Sequence, residues 1–92
     1  MKNFFSTAIF VFELGPTICT ISFRRKKEER KYITAITYGN LLLKGFTYRQ
    51  PTLRAANKIL RKNYDRLMVE SNQIIRSRQE AKSRHFVTLG KP

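Results

Sequence analysis

Residues 38–53 read YGNLLLKGFTYRQPTL, and the fold turns on them. Tyr38 closes a run of β character that begins at Tyr32 and contains Ile33, Thr34, Ile36 and Thr37. Gly39-Asn40 has the composition of a two-residue hairpin loop, so Leu41 to Tyr48 is expected to return as a strand. Gly45 inside it marks a bulge or a close backbone approach. The alternative is one long bent third strand with Gly39 as the bulge; four strands is the preferred reading over three. Pro51 closes the β part. Thr52 is placed to cap a helix, and Pro51 just before it restricts the chain's entry.

Upstream, residues 3–14 form an aromatic-rich run with Phe and Ile on both faces, which reads as a strand covered on at least one side. Gly15-Pro16 is a turn signal. From Thr17 to Arg24 the alternation is clean. Cys19, Ile21 and Phe23 face one way; Thr20, Ser22 and Arg24 face the other. Residues 24–31, RRKKEERK, read as a charged hairpin tip.

Downstream, Leu53, Ala56, Leu60, Tyr64, Leu67, Ser71 and Ile74 recur every three or four positions. At 100° per residue they fall within about 40° of one line. Arg78 would sit on that line, so burial is expected to end near Ile75. The predicted architecture is a single two-layer α+β domain. Residues 1–49 form an antiparallel β-meander of three to four strands, residues 52–84 one long C-terminal helix packed on one face, and residues 85–92 a loose tail.

Composition bounds the function. The 92 residues carry 19 Lys and Arg against 6 Asp and Glu, a net charge of +13. With 41% apolar residues and seven Phe, a wholly disordered basic tail is disfavoured. No stretch approaches the roughly 18 apolar residues of a membrane span. Lys2 followed by Phe4, Phe5 and Ala8 to Phe12 imitates a signal peptide, but Glu13 and Gly15-Pro16 replace a small-residue cleavage site. Cytoplasmic localisation is the expectation, and Cys19, the single cysteine, forms no intrachain disulfide.

The catalytic inventory is sparse. Glu28-Glu29 reads as a solvated hairpin tip among cations, not as an acid/base dyad. Asp65 and Glu70 diverge by roughly 140° around a helix. His85 has no orienting partner, Cys19 alternates inward, and no phosphate loop occurs. An enzyme is not expected, nor a metal or other cofactor; one Cys and one His do not make a structural zinc site.

The cations have more order. Arg54, Lys58, Arg61, Lys62 and Arg76 project at least about 100° from the apolar line. Arg24, Arg25, Lys26 and Lys27 form a second cluster. A basic hairpin beside a basic helix could straddle a phosphate backbone, with Tyr32 and Tyr48 stacking on bases if exposed. The first function expected is therefore a small non-enzymatic nucleic-acid-binding protein, for DNA or RNA. The alternative is a phage or mobile-element accessory protein whose basic face docks on an acidic protein surface and inhibits a host protein or a nucleic-acid-bound defence complex. Exposed apolar residues beside the cations, Val69 for example, would favour that alternative. An anionic lipid surface ranks below both, because the core needs the helix's one apolar stripe. The apolar first strand could also lie at a sheet edge and pair with a second copy, giving a homodimer.

The order of strands followed by a helix is similar to that of double-stranded-RNA-binding domains and of the arm-type DNA-binding domains of phage integrases. The Lys-Lys-x-Ala-Lys motif of the former is missing from residues 45–58, and no residue motif carries the likeness to the latter. Membership of neither family is inferred.

Overall fold

Gly15-Pro16 and Gly39-Asn40 each reverse the chain within two residues. Gly15 has φ +63° and Gly39 φ +59°, each in the first central position of its turn. That is the place a type II′ hairpin reserves for glycine, because an L side chain there is strained. A computed structural model describes the backbone of residues 4–90 and the side chains of residues 7–82. Four strands follow in sequence order: β1 (Phe4–Leu14), β2 (Thr17–Lys26), β3 (Tyr32–Tyr38) and β4 (Leu41–Tyr48). They form one antiparallel sheet in the order β1-β2-β3-β4. Asn3, expected to open the first strand, lies outside the described residues. The four-strand reading holds, and Gly45 is the bulge. Thr34 pairs with Phe46 and Ala35 with Lys44, leaving Gly45 unpaired at φ +105°. The buried Thr34 hydroxyl donates to the Phe46 carbonyl at 3.2 Å beside this irregularity.

The helical half departs from expectation. It is two helices, α1 (Leu53–Lys62) and α2 (Tyr64–Gly90), interrupted at Asn63. Thr52 caps α1 as expected, its Oγ1 accepting from the Ala55 N–H at 3.1 Å. Asn63 satisfies its own amide by donating Nδ2–H to the Ile59 carbonyl at 2.8 Å. The reason for the break lies in the packing. Ala56 and Ile59 are the buried residues of α1, while Leu67 and Ser71 are buried on α2. On one continuous helix the midlines of these two pairs would differ by about 70°. Ile59, 1% exposed, thus replaces Leu53 and Tyr64, which were expected inside and are 54% and 48% exposed. Burial fades at Ile74 and Ile75, as the position of Arg78 predicts. The segment from residue 85, expected as a loose tail, continues α2 to Gly90; residues 91–92 lie outside the described part.

One face of the sheet carries the core: Cys19, Ile21 and Phe23 from β2 and Ile36 and Tyr38 from β3 meet Ala56, Ile59 and Leu67. Burying each large apolar side chain contributes about 1.5–3 kcal/mol. Phe23 stands edge-on to Phe10 (5.8 Å between centroids) and to Tyr48 (6.3 Å). The result is a two-layer α+β domain.

Candidate functional site

The register places the basic residues. Tyr32 pairs with Tyr48, so the β2–β3 hairpin and the exit of β4 lie at the same end of the sheet. α1 starts five residues after Tyr48 and runs back along the inner face. α2 then passes the opposite end, where Ser71 lies against Gly15 and Ile74 against Gly39. The hairpin cations and the start of α1 therefore share one end. Residues 24–31 hold six cations and two anions, and residues 49–62 hold five cations and no anion. These two segments account for nine of the thirteen net charges.

Of the residues singled out from sequence, Lys26 and Lys27 are exposed on the hairpin, and Arg54, Lys58, Arg61 and Lys62 are exposed along α1. Arg24 is exposed on the outer face of the sheet. Arg25 braces the hairpin. Its Nη1 donates to the Glu29 carbonyl at 2.7 Å, and its guanidinium lies 5.7 Å over the Tyr32 ring. Arg76 does not join the group, since it lies on α2 beyond Ser71 and Ile74, which pack against Gly15 and Gly39 at the opposite end of the sheet. Arg30, Lys31 and Arg49 were not singled out, yet all three are exposed at the basic end. The Tyr32–Tyr48 pairing could have found them.

Tyr32 and Tyr48 are half-buried and pack against the core, so the sheet-packing role accounts for both. On the outer face, the residues with described side chains are Thr7, Ile9, Val11, Glu13, Ile18, Thr20, Ser22, Arg24, Lys26, Ile33, Ala35, Thr37, Leu42, Lys44 and Thr47, none of them aromatic. A shallow trough of about 360 Å³ lies there, between Arg24 and Lys44. Cations and apolar groups line it, but no ring on which a base could stack. Glu70 accepts from the Asn40 N–H at 2.9 Å. Burial pushes the Cys19 thiol up to about 11, which keeps it protonated and poorly nucleophilic at neutral pH. Among the described residues no group of three or more His, Cys, Asp or Glu could hold a metal ion, and no helix is long and apolar enough to cross a membrane. The side chain of His85 lies outside the described residues.

No protein-family model, curated protein or solved structure matches this chain.

Proposed function

We propose that the protein is a non-enzymatic nucleic-acid-binding protein that grips the phosphate backbone at its basic end. Lys26 and Lys27 on the hairpin and Arg54, Lys58, Arg61 and Lys62 on α1 are the contacting groups. The observation that carries this reading is the meeting of the charged hairpin with an acid-free helix at one end of the sheet. Each phosphate neutralised releases condensed counterions, so affinity would fall steeply with salt. The lack of aromatics among the described outer-face residues favours backbone contact over base stacking there.

A second reading has its own support. Leu53, Tyr64 and Val69 are exposed on the same helices as the cations. Apolar groups beside cations suit an acidic protein surface, as an inhibitor of a nucleic-acid-binding partner would require.

Fluorescence anisotropy against duplex DNA, single-stranded DNA and duplex RNA at two salt concentrations tests the first reading. The expected result is micromolar or tighter binding with a steep salt slope. Lys58→Glu combined with Arg61→Glu should weaken it more than about tenfold, while Arg76→Glu should change it less than about threefold. Folded protein that binds none of the three polymers at low salt would overturn the reading and shift the case to the acidic protein partner.

A further inference from the structure

The edges of the sheet are built differently. β4 carries Lys44 and the Gly45 bulge, two devices that discourage edge-to-edge pairing. β1 carries neither. From Ser6 to Leu14 its register with β2 is unbroken, and residues 7–14 contain no Lys, Arg, Pro or Gly. β1 is also the one perimeter element of this +13 chain without a cation; its one charge is Glu13.

The free edge is self-complementary. Leu14 and Thr17 flank a two-residue turn and so exchange hydrogen bonds with each other. Alternate residues counted back from Leu14 likewise bond to β2. Thr7, Ile9, Val11 and Glu13 therefore aim their N–H and C=O groups away from the sheet. Their side chains share its outer face, where Ile9 and Val11 are 58% and 59% exposed.

We propose that β1 is a homodimer interface, pairing antiparallel with β1 of a second copy about a two-fold axis at Phe10. In that register Ile9 opposes Val11 of the second copy as a hydrogen-bonded pair, and Thr7 opposes Glu13. Thr7 is itself level with Arg24 on β2. The carboxylate of the second copy thus lies one strand from Arg24 on the same face. Pairing covers the exposed Ile9 and Val11, joins the sheets into eight strands, and keeps the two cationic ends apart. The inference is independent of which polyanion the basic end binds.

Sedimentation equilibrium from about 10 to 300 µM reads the interface, with dimers expected below about 100 µM. Val11→Lys should weaken dimerisation at least about tenfold. Leu42→Lys, on the same face but on β4, should leave it unchanged; the opposite pattern would indicate face-to-face packing and overturn the proposal. A monomer across the whole range would overturn it too. The register has its own test. Under mild oxidation, a mixture of Ile9→Cys and Val11→Cys proteins should form far more disulfide-linked dimer than either alone, because hydrogen-bonded partners lie about 5.5 Å apart at Cα. Equal cross-linking in all three samples would overturn the register. Circular dichroism of each variant confirms that it is folded.

Discussion

Arg78 and Pro16 stand 62 positions apart, yet Arg78 Nη1 donates to the Pro16 carbonyl at 2.9 Å. Eight residues earlier on α2, Glu70 Oε2 accepts the Asn40 N–H at 2.9 Å. One helix face thus secures the two tight glycine turns, an arginine taking a carbonyl and a glutamate taking an amide. Arg78→Ala and Glu70→Ala should each lower unfolding free energy by about 1 kcal/mol, since a partly exposed charge-assisted bond is worth little more. Glu70→Gln keeps an acceptor oxygen and should lose less. Urea titrations of the variants measure these differences.

Gly15 cannot carry a side chain for two separable reasons. Its φ of +63° strains an L-residue, and a Cβ there would lie 2.6 Å from Ser71 Oγ. Gly15→Ala should cost about 2–3 kcal/mol. Adding Ser71→Ala removes the close hydroxyl but not the backbone strain. In thermal or urea unfolding the double variant should regain part of the loss relative to Ser71→Ala alone.

The break at Asn63 predicts opposite fates for two aliphatic positions on α1. Ile59→Ala empties a buried site and should cost about 2–4 kcal/mol. Leu53→Ala removes an exposed side chain and should cost under about 0.5 kcal/mol. Equal losses in urea unfolding would mean that the two helices present a different face to the sheet.

Cys19 makes stability fall in alkali. Burial raises its folded pKa from 9.0 to about 11, so between those values the folded chain holds a proton that the unfolded chain has released. Stability is at its full value below about pH 9 and declines as pH rises through the window, by an amount on the order of 2 kcal/mol. Cys19→Ala is expected to be less stable at neutral pH but to decline less between pH 9 and 11. Native protein at pH 8 should resist alkylation by iodoacetamide, and unfolded protein should not.

Much of the fold is legible in local chemistry. The glycine turns, the alternation of Cys19, Ile21 and Phe23, the bulge at Gly45 and the Thr52 cap each express a constraint among near neighbours. The helical half is less legible. A spacing of three and four draws a straight line through Leu53 and Tyr64, whereas the sheet surface admits Ile59 and turns the line at Asn63. The site is legible as two clusters. That Arg54 and Lys58 join the hairpin cations, that Arg76 lies far away and that Arg25 is spent on Tyr32 and Glu29 depend on strand register and helix direction.

Where the chain turns, which strand residues face inward and how strongly cationic the protein is follow from the order of amino acids, because φ preference, two-residue alternation and charge belong to single residues and their neighbours. Which helix face is buried, which cations share an end and which edge of the sheet is left unguarded are set by packing between distant segments. Those outcomes arise where distant surfaces meet, and the packing that selects among them has no local signature.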